Sequence, residues 1–291
     1  MTLPTIHGSA ADALTQLPAW VTRVLAPNPG PMTLEGTNTW ILRSPAGDAI
    51  VVDPGPLDEG HLAAVAAAGD VRTVVTTHHH RDHTEGLSRL LELCPSARVW
   101  RPTTEEATLR GSGLELRSIT TPGHTADSVT LVGGVGDERV VLTGDTILGR
   151  GTTVVAYPDG DLGDYLTSLR LLELLRSVPV LPGHGPALTD CGAAAAYYLR
   201  HRLTRLDQVR AAVAAGATTP QEVVRLVYAE VDQALWPAAE LSVRAQLAYL
   251  DQPSASAGPA SAPAGPASGQ AADSGQGGRE SGRAGSGLEP P

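Results

Sequence analysis

Thr77-His78-His79-His80-Arg81-Asp82-His83 follows directly on the apolar run Val71 to Thr76. That run reads as a buried strand, so the seven residues sit on a loop at a strand's C-terminal end, where α/β folds place their ligands. Four side chains able to ligate a metal, His78, His80, Asp82 and His83, fall within six residues. Packed together, such groups repel one another or stay unpaired unless something positive binds them, and a transition metal is the economical answer. In extended chain His78 and His80 point the same way, whereas Asp82 and His83 lie beyond a turn and can face a neighbouring position. One loop can therefore serve two metal sites about 3.5 to 4 Å apart.

Three further residues complete the shells. His124 lies in Thr-Pro-Gly-His-Thr, Asp145 in Thr-Gly-Asp-Thr and His184 in Leu-Pro-Gly-His-Gly-Pro, each after a strand and each preceded by Gly. Glycine lets the backbone leave a strand sharply and approach a site closely. His79 occupies the variable slot of the run, and neither it nor His7 nor His61 receives a functional reading. Around these motifs strand and helix signals alternate. Strands are predicted at 37–42, 48–52, 71–76, 97–101, 114–120, 128–132, 139–142 and 179–181. Helices are predicted at 57–68, 84–93 and 162–176. This is a layered α/β domain, and periodicity alone does not choose between a doubly wound sheet and a four-layer αββα sandwich. From Ala194 the pattern is helical only, with helices predicted at 194–214, 219–231 and 238–249.

Three segments are thus expected: a catalytic domain over residues 1–193, a small helical domain over 194–252, and a tail over 253–291. From Ser254 the tail is almost wholly Ser, Ala, Gly and Pro without an aromatic residue, a composition expected to be disordered. The chain of 291 residues has a net charge of −10 and every basic residue is Arg. No domain-wide basic field exists to attract nucleic acid, although bound cations can supply positive potential locally. Two cysteines, Cys94 and Cys191, are far from a disulfide framework and fit a reducing compartment. With no export signal and no membrane span in the sequence, a cytoplasmic protein without membrane contact is expected.

The His-x-His-x-Asp-His run with the later His, Asp and His resembles the signature of the metallo-β-lactamase superfamily. The resemblance implies the αββα sandwich. It implies His78, His80 and His124 on a first metal, Asp82, His83 and His184 on a second, and Asp145 bridging. Asp53, after the strand ending at Val52, matches the family's early Asp, which supports the site without ligating. Two cations sharing a water would lower its pKa towards neutrality, giving a bridging hydroxide nucleophile, with Asp82 or Asp145 orienting the attacking water. Two zinc ions suit imidazole-rich ligation, and iron or manganese also suit mixed His and carboxylate sites.

Three longer stretches resemble the β-lactamase-like endoribonuclease branch of that superfamily, which carries a winged-helix C-terminal domain and cleaves single-stranded RNA. They are Asn28-Pro-Gly-Pro-Met-Thr-Leu-Glu-Gly-Thr-Asn-Thr-Trp40, Gly144-Asp-Thr-Ile-Leu-Gly-Arg-Gly-Thr-Thr-Val154 and Asp164-Tyr-Leu-Thr-Ser-Leu169. Tyr197 to Arg202 continues the match. The helical domain departs from the pattern because no wing hairpin is legible after Tyr249. Asn38 and Arg202 are expected to contact substrate, and Arg205 shares the helical face of Arg202. Members with the same ligands also hydrolyse thioesters, lactones and β-lactams, so ligands and fold do not name a substrate. Single-stranded RNA and a small-molecule ester or thioester, the latter as in glyoxalase II, both remain open, whereas a non-enzymatic binding role does not fit an intact ligand set.

Overall fold

Period-two alternation in the central strands builds the observed sandwich. The computed structural model describes residues 13, 15–102 and 107–252. Strands β1 (Val21–Leu25), β2 (Asn38–Arg43), β3 (Asp48–Val52), β4 (Asp70–Val75) and β5 (Arg98–Val99) form one sheet in that order. Strands β6 (Thr108–Gly111), β7 (Leu114–Thr120), β8 (Val129–Val135), β9 (Glu138–Gly144) and β10 (Val180–Pro182) form the second, in the order β10-β9-β8-β7-β6. The pairs β3–β4, β4–β5 and β9–β10 are parallel, and the others are antiparallel.

Trp40, Leu42, Ile50, Val52 and Val75 of the first sheet share one buried cluster with Leu116, Leu131, Val140, Leu142 and Leu181 of the second. Their in-between neighbours face outward. Ile41, Ala49, Val51 and Val74 pack under helices α1 (Glu59–Ala67) and α3 (Leu87–Leu93) through Leu62, Val65 and Leu90. On the other side Val141 and Val180 meet Tyr165 and Leu169 of α4 (Leu162–Leu172) and Tyr198 of α5 (Cys191–Ala214). The order of layers is therefore helix, sheet, sheet, helix, as the motifs predict. Each fully buried aliphatic side chain contributes roughly 1.5–3 kcal/mol, so this interior holds the loops at its rim in register.

Helix α5 runs unbroken across residue 194, where the domain boundary is expected. Its first turns belong to the sandwich cluster, while Val209 and Ala212 join Val223 and Val224 of α6 (Pro220–Val227) and Ala239 and Val243 of α7 (Trp236–Leu250). A Thr219–Glu222 capping box and Pro220 start α6. The sequence misses β1 and β6. Both are short edge strands, and β6 is exposed along most of its length. The predicted helix at 84–93 divides into a one-turn helix α2 (Arg81–Thr84) and α3, separated by Gly86. A Cβ at Gly86 would stand 2.7 Å from Leu62 Cδ2 and 3.0 Å from the Pro56 carbonyl. His7 and the tail from 253 lie outside the described residues.

Candidate metal centre

Strands from both sheets deliver their C-terminal ends to one place. Asp53 follows β3, the His78–His83 loop follows β4, His124 follows β7, Asp145 follows β9 and His184 follows β10. Backbone bonds lock the two sheet ends together: Val129 N–H donates to the Thr77 carbonyl at 2.9 Å, and Asn38 N–H to the Gly183 carbonyl at 2.8 Å. The glycines before the site residues have steric reasons. A Cβ at Gly183 would lie 2.4 Å from Asp145 Oδ1 and 2.7 Å from His83 Cε1. At Gly123, with φ of 131°, it would lie 2.3 Å from Tyr165 Cα.

The side chains gather in two groups. His78, His80, His124 and Asp145 can place ligand atoms within 4.8 Å of one another, and so can Asp82, His83 and His184. In the first group His80 Nδ1 faces His78 Nε2 at 3.0 Å and His124 Nε2 at 3.1 Å. In the second His184 Nε2 lies 3.2 Å from Asp82 Oδ2 and 3.3 Å from His83 Nε2. Asp145 stands between them: Oδ2 is 3.3 Å from His184 Nε2 and 3.7 Å from His124 Nε2, and Oδ1 is 3.5 Å from His83 Nε2. All seven predicted ligands are therefore brought together.

Partners on the far side of the rings set the tautomers. His124 Nδ1–H donates to the Val154 carbonyl at 2.8 Å, and His184 Nδ1–H to the Gly36 carbonyl at 3.1 Å. His83 Nδ1–H donates to Asp53 Oδ2 at 2.9 Å. Thr77 Oγ1–H donates to the same oxygen at 2.8 Å, so Thr77 Oγ1 accepts from His78 Nδ1–H at 3.0 Å. With Thr77 N–H on Asp53 Oδ1 at 2.7 Å, one carboxylate orients a histidine of each group. In the neutral rings the inward nitrogens carry lone pairs, and at most one of the two contacts of His80 Nδ1 can be a hydrogen bond. Asp145 Oδ1 is buried with no hydrogen-bond partner among the described residues. Converging lone pairs and carboxylates, with the rings of His78, His83, His124 and His184 held by outer acceptors, fit divalent cations.

The electrostatics agree. Burial disfavours a charge on His184, but Asp145 and Asp82 outweigh it and raise its pKa to about 9. Burial likewise opposes a charge on His83, and Asp145 and Asp53 raise it well above the ordinary 6.5. Burial works against ionised Asp145 too, yet His83 and His184 hold its carboxyl well below the usual range. His78, buried and repelled by His83, is pushed well down and stays neutral. The carboxylates thus demand positive charge here, which without a metal ion only protons on His83 and His184 supply.

Two residues expected to meet substrate lie inside. Asn38 is fully buried, and its amide donates to the Pro182 and Gly185 carbonyls at 2.9 Å each, which shapes the His184 loop. Arg202 is 3% exposed and donates to the Thr153 carbonyl beneath the site. Neither presents a face to a ligand. Arg205 donates to the Val227 carbonyl at 2.8 Å and lies over the Tyr228 ring. His79 is exposed, 2.9 Å from Asp127 and 3.6 Å from Asp159. His61, given no role from the sequence, is buried with Nε2 at 2.9 Å from Thr39 Oγ1 and 3.1 Å from the Pro54 carbonyl. Thr39 Oγ1 in turn donates to the Asp53 carbonyl at 2.6 Å, so His61 braces the turn that bears Asp53. Neither His61 nor Thr77 carries a motif of its own; for Thr77 the signal was its place between β4 and the first ligand.

Residues 32–111 and 95–184 match the family model of the metallo-beta-lactamase superfamily, and residues 219–252 that of the beta-lactamase associated winged helix domain. A beta-lactamase-like protein 2 homolog of Drosophila melanogaster is 31% identical over 277 residues, covering 82% of this chain and 90% of that protein. An atrochrysone carboxyl ACP thioesterase of Aspergillus chevalieri is 34% identical over 236 residues, 73% of this chain and 74% of that one. Among solved structures, a beta-lactamase domain protein from Burkholderia ambifaria superposes with a TM-score of 0.66 at 23% identity, covering 86% of this chain and 89% of that one. Sandwich, ligand cluster and sequence matches agree that this chain is a metallohydrolase belonging to the metallo-beta-lactamase superfamily, with a beta-lactamase-associated winged-helix domain at residues 219–252.

Proposed function

We propose that the chain is a two-metal hydrolase of acyl compounds, with thioesters as the substrate class and zinc as the metal. The observation that carries this reading is the position of Asp145 between two ligand groups whose inward nitrogens are freed by outer hydrogen bonds. His78, His80 and His124 would hold one ion, Asp82, His83 and His184 the other, and Asp145 would touch both. Bound there, divalent cations would acidify water and stabilise charge developing on the scissile group's oxygen. Asp82 is the carboxylate of the cluster that meets solvent, with 28% of its side chain exposed. Thr37 Oγ1 donates to Asp82 Oδ2 at 3.3 Å, which leaves Asp82 Oδ1 to accept a proton from an attacking water and orient it. Asp53, Thr77 and the backbone carbonyls of Gly36 and Val154 hold the imidazole rings still while this happens.

For the substrate class, the thioesterase-named relative favours an acyl compound, and so does the charge beside the site. Asp127 and Asp159 are about half exposed next to His79, so this edge repels a polyanion rather than attracting it. Single-stranded RNA is the second reading, favoured by the winged-helix match at 219–252. The free thiols Cys94 and Cys191 suit the reducing cytoplasm in which we place the protein, and among the described residues no helix is long and apolar enough to cross a membrane. The test is a side-by-side assay of metal-loaded protein on a panel of acyl thioesters and on end-labelled single-stranded RNA, with the Asp82→Ala, His83→Ala double variant as control. Thioester turnover by wild type alone is expected. RNA cleavage by wild type alone, with no thioester turnover, would replace the acyl reading with the nuclease one.

A further inference from the structure

We propose that Arg202 is a positioning residue for His124, acting through the Thr153–Val154 backbone from beneath the site. The proposal rests on the reading of His124 as a metal ligand. Arg202 sits on α5, 3% exposed, with its guanidinium 5.2 Å from the centre of the Tyr165 ring. Its Nη2 donates to the Thr153 carbonyl, and its Nε has no hydrogen-bond partner among the described residues. No carboxylate among the described residues forms an ion pair with it. A buried guanidinium with no ion pair among the described residues is a poor choice for packing alone, since a Leu or Met fills such space without a desolvation cost. Besides its contact with Tyr165, the charge achieves a grip on the Thr153 carbonyl.

That carbonyl belongs to the residue beside the one that orients His124. The Val154 carbonyl accepts His124 Nδ1–H at 2.8 Å, and Thr153 Oγ1 lies 3.2 Å from the same nitrogen. These contacts fix both the tautomer and the rotation of the ring, and so the direction of the Nε2 lone pair. The rest of the segment is pinned by the same two helices. Tyr165 O–H donates to the Thr146 carbonyl at 2.6 Å, and Tyr198 O–H to the Leu148 carbonyl at 3.2 Å while accepting from Leu148 N–H at 2.9 Å. Thr146 and Leu148 are held close to Asp145. Arg202 bonds the Thr153 carbonyl at the far end, where His124 is oriented and Val155 packs into the core. A helix whose last turns pack against α6 and α7 thereby sets the geometry of one ligand.

The test compares wild type with Arg202→Met, which keeps length without charge, and Arg202→Lys, which keeps a donor. Cobalt(II) affinities are measured by chelator competition, the cobalt absorption spectrum is recorded, and the melting of metal-free protein is followed in parallel. Arg202→Met is expected to weaken one of two cobalt-binding steps about 10- to 100-fold, with an altered spectrum, and to leave the other step unchanged. Arg202→Lys is expected to restore part of the loss. Wild-type affinities and spectrum in Arg202→Met, with only the metal-free melting lowered, would reduce Arg202 to packing and overturn the proposal. A raised KM with unaltered metal binding would return it to substrate contact, which also overturns it. Failure of the wild type to bind cobalt would show instead that the metal reading beneath it is wrong. If Arg202→Met does not fold, Arg202→Gln is measured in the same way and judged by the same outcomes.

Discussion

Replacing Asp53 by Asn should weaken metal binding with little change of shape. Asp53 is 1% exposed and accepts three hydrogen bonds, from Thr77 N–H at 2.7 Å, Thr77 Oγ1–H at 2.8 Å and His83 Nδ1–H at 2.9 Å. Its φ of 54° lies in the left-handed region, which Asn tolerates better than most residues. The variant therefore keeps backbone and volume, while one of its two acceptor atoms becomes an NH2 facing donors. If the amide oxygen stays on Thr77 N–H, His83 must carry its proton on Nε2, which points at the metal position. If the amide turns over, Thr77 N–H is left unpaired. The first outcome replaces the inward lone pair of His83 by an N–H, and the second strands a buried donor at about 1–3 kcal/mol. Loss of such an orienting partner lowers metal affinity about 10- to 100-fold, roughly 1.4–2.8 kcal/mol. The assay is chelator competition on wild type and Asp53→Asn, with activity measured at saturating metal. Unchanged affinity together with unchanged activity would refute the claim that Asp53 aligns the histidines. Asp53→Ala strands all three donors and adds backbone strain, so it should lower stability as well.

Gly183→Ala should abolish metal binding, because its methyl group would occupy space 2.4 Å from Asp145 Oδ1; a variant that binds metal like wild type would show that the loop yields. In metal-free protein His184 has a folded-state pKa raised to about 9 against 6.5, so its contribution is full below pH 6.5 and is lost as pH rises through 9. The melting temperature of metal-free protein should accordingly fall between pH 6.5 and 9.5, and calorimetry in buffers of different ionisation enthalpy should record proton release on metal binding at pH 7. A flat melting profile with no proton release would contradict the electrostatics described here. His79→Ala should change stability by no more than about 0.5 kcal/mol and leave metal affinity unaltered, since the His79 ring nitrogens face the exposed Asp127 and Asp159. Loss of metal in that variant would make His79 a ligand.

The seven side chains that the structure gathers were legible because they are local in sequence or tied to strand ends. His78 to His83 occupy one loop, and His124, Asp145 and His184 each follow a strand and a glycine. The four layers followed from the resemblance carried by the motifs, because alternating positions such as Trp40 and Leu42 against Ile41 send side chains to opposite faces of a sheet in either architecture. What escaped the sequence depends on contacts between distant residues. Asn38 and His184 are far apart in the chain, yet the Asn38 amide bonds the carbonyls on either side of the His184 loop. Arg202 is expected from the sequence to contact substrate, and the packing of α4 and α5 that buries it joins residues distant in the chain. Strands β1 and β6 are short and lie at the sheet edges, where one side of each has no neighbouring strand.

Anomalous diffraction from crystals of zinc-loaded protein would locate the ions. Two peaks are expected, one among His78, His80 and His124, one among Asp82, His83 and His184, both in contact with Asp145. A single peak, or metal bound away from these seven side chains, would contradict a two-metal centre and the hydrolytic chemistry built on it.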